Sequence, residues 1–185
     1  MKKWFKITAY LFIFSAVVGA VAFFINPDLL VKIVQQYQDK FGPSPALDFN
    51  LVKGIFTQNV TVSAFALFGG FFFGLASLLV VFVNGFLIGF IITAVFVALK
   101  NHQQAFDLIL RGIVPHGIFE IPAFFFAASL GFKLGLEWLG KDSKGQRLKV
   151  LGNNLRDSLL YFLLIATVLF AAAIIEVFVS GRIIR

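Results

Sequence analysis

The sequence predicts an all-α membrane protein: a bundle of about five transmembrane helices with short amphipathic helices on the outer side. Three observations carry this. Apolar residues make up 59% of the 185 and charged residues only 14%, against roughly 25% charge in soluble domains, so too little polar surface exists to cover a fold in water. Mean hydropathy is +0.93. Apolar runs long enough for a bilayer recur along the chain, and shorter segments place apolar and polar residues on opposite helical faces. A single polytopic domain, residues 1–185, is expected at this length.

The first span covers residues 4–25 and ends at Asn26-Pro27-Asp28. Its basic start, Lys2 and Lys3, resembles the flank of a signal peptide, and Ala20-Val21-Ala22 imitates a cleavage site. The apolar run is nevertheless longer than the roughly 7–15 residues of a signal core, so it reads as a retained helix. From Pro27 to Phe41, Leu29, Leu30, Ile33, Val34, Tyr37 and Phe41 recur at helical spacing opposite Asp28, Lys32, Gln35, Gln36 and Asp39. That pattern suits a helix lying at a membrane surface. Gly42-Pro43-Ser44-Pro45 breaks it, and a second amphipathic piece, Phe49 to Phe56, leads into the membrane.

No charged residue occurs between Val60 and Leu99, about twice the roughly 20 residues of one crossing. Asn84-Gly85, a common turn pair, lies in this stretch, which predicts spans at 60–83 and 85–99 joined by a tight turn. Lys100 to Arg111 is a polar, amphipathic connection. The fourth span is placed at 116–138, and Lys141, Lys144, Arg147 and Lys149 follow as a basic loop. The fifth runs over 158–179 and is closed by Arg182 and Arg185.

The formal charge of +7 is assigned to Lys and Arg flanking the spans and meeting anionic lipid, not to nucleic acid. Lys2, Lys3 and Lys6 share a side with the basic loop if there are five crossings, whereas 26–58 balances lysines against aspartates. Excess Lys and Arg favours the cytoplasm, so the N-terminus is expected inside and the C-terminus outside a cell membrane. With no cysteine, disulfides and thiolate metal sites are excluded. No His-Glu-x-x-His, Gly-x-Ser-x-Gly or phosphate-binding Gly-Lys-Ser/Thr motif is present, so an enzyme is not expected and an ATPase is excluded.

Glycine pairs at i, i+4 (Gly70/Gly74, Gly85/Gly89 and Gly131/Gly135) place two small residues on one helix face, where a neighbouring backbone can approach closely. They are expected to pack helices within the chain or in a homo-oligomer. A shift of 61 residues superposes Asn59 on Glu120, Gly70 on Gly131, Gly74 on Gly135 and Leu75 on Leu136, an internal echo of two helical hairpins.

The most unusual chemistry is Pro115-His116-Gly117-Ile118-Phe119-Glu120-Ile121-Pro122, because ionisable groups within spans are costly. One reading is structural: Pro115-His116-Gly117 forms an elbow, Pro122 stands at a first helical position, and Glu120 is a first-turn acid complementing the helix dipole. The other is an ion, proton or metal site using His116 and Glu120, neighbours at i, i+4. Two ligands are too few for a metal, so no metal or cofactor is expected. Glu176, near the end of the fifth span, returns to the same side, where Arg111 or Lys100 can neutralise it. Lys133 is expected to snorkel to the inner interface. Asn59, His116, Glu120 and Glu176 are therefore expected to gather in the outer half of the bundle.

Asn59, Gly69-Gly70-x-x-x-Gly74, Asn84-Gly85-x-x-x-Gly89 and Pro115-His116-Gly117-x-x-Glu120-x-Pro122-Ala123 together are similar to the stage II sporulation protein M family. The resemblance implies a polytopic inner-membrane protein whose namesake acts with two partners, one a cell-wall lytic enzyme, in remodelling septal peptidoglycan. Its part there is that of a scaffold. The function expected for this chain is accordingly a structural or assembly component of a membrane complex, held in the lipid bilayer among other membrane or envelope proteins. The alternative is a channel or transporter subunit using Asn59, His116, Glu120 and Glu176.

Overall fold

A computed structural model describes residues 1–42, 45–99, 101–140 and 143–183. Pro43, Ser44, Lys100, Lys141 and Arg185, invoked above for breaks and charges, lie outside these residues, as do the side chains of Tyr37 and Phe41. The chain forms α1 (Lys2–Ile25), α2 (Leu29–Phe41), α3 (Phe49–Phe68), α4 (Leu75–Ala98), α5 (His102–Gly112), α6 (Val114–Leu136) and α7 (Arg147–Ile175). Among the described residues there is no strand. Among the described residues five helices are long and apolar enough to cross a membrane: α1, α3, α4, α6 and α7, counted with the short turns that continue α3, α6 and α7. Lateral side chains such as Tyr10, Phe14 and Leu163 are more than 60% exposed, the surface that a bilayer would cover.

Local chemistry sets the boundaries. The Asp48 carboxylate caps α3 by accepting from the Leu51 amide at 3.0 Å. Asn101 caps α5 by accepting from the Gln103 and Gln104 amides. Such caps satisfy the orphan donors of a first helical turn. The predicted surface segment from Pro27 is α2, while Phe49 to Phe56 is not a separate piece but the first two turns of α3.

The turn between the second and third spans departs from the expectation. It falls at 69–74, not at Asn84-Gly85, so spans 60–83 and 85–99 are replaced by α3 and α4. Gly69–Phe71 form a tight 3₁₀ turn, and Phe73 (φ 54°) and Gly74 (φ 73°) adopt the left-handed conformation that starts α4. Length explains the preference. A helix over 85–99 would reach only about 22 Å, short of the roughly 30 Å hydrocarbon core, whereas α4 has 24 residues. Gly70 and Gly74 therefore sit in a turn and do not share a helix face.

Asn84 and Gly85 lie inside α4, where Gly85 serves packing. A Cβ on Gly85 would strike Ser15 and the Phe12 carbonyl, and one on Gly89 would strike the Ala16 carbonyl. Together with the Phe23–Phe90 ring contact, these contacts make α1 and α4 parallel neighbours. Helices α3 and α6 are parallel too, and in register. Gly131 meets Gly70 and Ala66, and a Cβ on Gly135 would strike the Gly70 carbonyl and the Gly74 amide. Two positions related by the 61-residue shift thus face each other directly. Helix α7 runs antiparallel to both, with Phe49 on Phe178, Phe56 on Phe170, Phe68 on Phe162 and Phe126 on Tyr161.

One end of the bundle carries Lys2, Lys3, the 69–74 turn and the 143–149 segment; we call it the basic end. There Lys133 is not merely snorkelling: its Nζ pairs with Asp157 Oδ2 at 3.1 Å, and Asn154 donates to Glu137 Oε2 at 3.0 Å. The far end carries α2, α5 and the closing turn Gly181–Ile183. Alternation of the crossings puts Met1 and Ile183 at opposite ends.

Candidate functional site

The site is set by irregularities in two helices. Helix α6 begins at Val114, with Pro115 in its first turn and Pro122 in its interior. This overturns the elbow reading: Pro122 is not at a first helical position, and Glu120 is not a first-turn acid. Glu120 stands about 9 Å along the helix at 1.5 Å per residue. Proline tolerates only the early positions of a helix without cost; in the interior it leaves the carbonyl four residues back, that of Ile118, without its amide donor. At the end of α7 the backbone widens into a π turn, Glu176–Ser180. Such turns are rare and frequent at functional sites.

These two irregular segments face each other. One donor atom each from His116, Glu120 and Glu176 lies within 4.8 Å of the others. His116 Nδ1 is 3.1 Å from Ser180 Oγ, a hydroxyl that is itself buried. Asn59 Nδ2, from α3, donates to Glu120 Oε1 at 2.6 Å. Asn59, His116, Glu120 and Glu176 thus form one connected group, all partly buried. Asn59, expected just ahead of a span at 60–83, instead falls inside α3. It lies about 15 Å along α3, and its bond to Glu120 joins the two echo-related helices at their matched position. Arg111 is exposed, and among the described residues no ion pair links it to Glu176.

Glu120 also faces a second space. A cleft of about 100 Å³ between the spans is lined by Asn59, Ser63, Asn84 and Glu120, with Phe12 and Phe124 among its apolar walls. That volume accommodates several waters, since one needs roughly 10–15 Å³ of such space and two or more polar partners. Asn84 lies about 14 Å along α4, so polar lining extends to mid-bundle. Sequence reasoning missed this role because Asn84-Gly85 was read as a turn. The available signal was an amide in an otherwise apolar stretch. Ser63 and Ser180 carried no such signal, serines being common in spans.

One helical turn nearer the basic end, the same helices close the space. Thr8, Ala66, Val81 and Ala128 are completely buried and Ile165 is 2% exposed. Thr8 and Ser129 satisfy each other at 3.1 Å, and Ser77 donates to the Ala66 carbonyl at 2.7 Å. Trp4 and Phe132 stack beneath them.

The stage II sporulation protein M family matches residues 8–181, which includes every residue of the cluster and both hairpins. The chain is similar to an uncharacterized protein of Methanocaldococcus jannaschii, with 32% identity over 169 residues and 89% of each chain covered. No solved structure matches. With a match across five bilayer-length helices and the whole Pro-His-Gly to Glu-Ile-Pro segment, the chain belongs to the stage II sporulation protein M family, as a multi-pass membrane protein.

Proposed function

We propose that the protein is a structural, assembly component of a membrane complex in the cell envelope, and not a catalyst. The observation that carries this is the seal. The polar lining of the cleft runs from Gln58, Asn59 and Glu120 to Ser63 and Asn84, and the next turn of the surrounding helices is buried, with its hydroxyls paired across the helices. A bundle built this way presents a rigid body to partners, and its glycine contacts, which bring backbones together, supply the rigidity. Helices α2 and α5 give the far end an extramembrane platform. Sequence charge supports a cell membrane with the basic end in the cytoplasm and the far end outside, where a partner acting on the cell wall would be met. Contact with a second copy through the lateral face is compatible with this role.

A second reading, a channel or transporter subunit for an ion or small solute, draws on the cleft itself. Transporters hold substrates near mid-membrane where helices are broken, and Glu120 with Asn84 offers polar groups there. The two readings separate on Glu120→Gln. Isolation in mild detergent, followed by identification of co-purifying proteins, should give the same stoichiometric partners for wild type and Glu120→Gln. Absence of any reproducible partner for the wild type would count against the assembly role.

A further inference from the structure

We infer that His116, Glu120 and Glu176 form a binding site for one divalent first-row transition-metal ion of the zinc or manganese class, which ties α6 to α7. The sequence set a metal aside for want of a third ligand; the fold brings Glu176 to the other two, with one donor atom from each inside 4.8 Å. Such ions hold imidazole and carboxylate donors at roughly 2.0–2.2 Å in tetrahedral geometry, so donors on a common ion lie about 3.3–3.6 Å apart. Side-chain adjustments of about an ångström bring the most distant pair from 4.8 Å into that range. The inference is independent of the assembly role.

A counter-ion would let both carboxylates ionise here. Two carboxylates stand within a membrane-spanning bundle, and the described residues offer them no Lys or Arg ion pair. Buried charges are paired or coordinate metals, and a divalent cation with two carboxylates and a neutral imidazole sums to zero. The surrounding hydrogen bonds match what metal ligands need. Asn59 orients one oxygen of Glu120, leaving the other for the ion, and Ser180 fixes the His116 ring; outer partners of this kind set ligand orientation and basicity. The donor set selects the ion class. Imidazole suits zinc, iron and nickel, carboxylate oxygens suit manganese, and the absence of sulfur ligands disfavours copper(I). Because Glu120 also borders the cleft, water can fill the remaining coordination position.

The test titrates metal-stripped, detergent-solubilised full-length protein with ZnCl₂, MnCl₂, MgCl₂ and CaCl₂ by calorimetry. We expect saturation at one zinc or manganese ion per chain, with calcium and magnesium far weaker. His116→Ala, Glu120→Gln and Glu176→Gln should each lose at least about ten-fold in affinity, and Ser180→Ala about ten-fold or more through its outer position. His102→Ala, which removes the only other histidine, should bind as wild type. Unsaturable binding, equal affinity for magnesium, or site variants that bind like wild type would overturn the site. Should a site variant fail to fold, X-ray absorption of the wild-type cobalt complex decides: one imidazole in the shell supports the site, and none or two refutes it.

Discussion

Replacing Gly131 with alanine adds one methyl group where α3, α4 and α6 converge. The added Cβ would collide with the Ala66 carbonyl and with Ser77 Oγ, two atoms already joined by a 2.7 Å hydrogen bond. Neither can retreat cheaply, since one is helical backbone and the other is held to it. Overpacking of this kind costs about 1–3 kcal/mol, and loss of the Ser77 hydrogen bond adds about 0.5–1.5 kcal/mol. Gain in helix propensity returns up to about 1 kcal/mol. A net loss of about 0.5–4.5 kcal/mol follows from these terms. Gly152→Ala is the matched control: its Cβ would meet nothing within 4 Å, so only the propensity gain remains and stability should hold or rise. Thermal or denaturant unfolding in detergent, followed by circular dichroism, reads both. If Gly131→Ala unfolds no earlier than Gly152→Ala, the close approach of α3 and α6 is refuted.

In this cysteine-free chain, Gln38→Cys and Gln146→Cys, both exposed, should label with an impermeant maleimide from opposite sides, Gln146 from the cytoplasm; labelling from one side alone contradicts five crossings. Asp157→Asn should cost less than about 1 kcal/mol, because its pair with Lys133 is partly exposed and such pairs contribute little; a larger fall in unfolding midpoint would assign the pair a structural role. Asn59→Ala removes the donor to Glu120 and should destabilise by about 1–3 kcal/mol, the cost of an unsatisfied buried group, whereas an unchanged unfolding curve would mean that the bond does not hold α3 to α6.

The existence of five spans was legible because bilayer length and near-absence of charge act on composition, which needs no tertiary information. Their boundaries were less so. Asn84-Gly85 carries a genuine turn signal, but the bilayer needs a longer helix than that turn allows, and Gly74 supplies a left-handed residue ten positions earlier. The cluster was legible in its membership, since acids and imidazole within spans are conspicuous. Its depth was not, because it depended on where α3 and α6 begin. Seen from sequence alone, Asn84 had no reason to border the same cleft as Glu120. That shared cleft follows from the parallel pairing of α1 with α4 and of α3 with α6; the glycine pairs signal close packing but not which helices they join.

Polar access that ends halfway across the bundle suits an assembly component and not a conduit. Ion flux into proteoliposomes containing monodisperse, fully helical protein tests it most directly, with Glu120→Gln measured in parallel. Sodium, potassium, proton, zinc and manganese fluxes should match those of protein-free liposomes for both proteins. A wild-type flux above that level, abolished by Glu120→Gln, would contradict it.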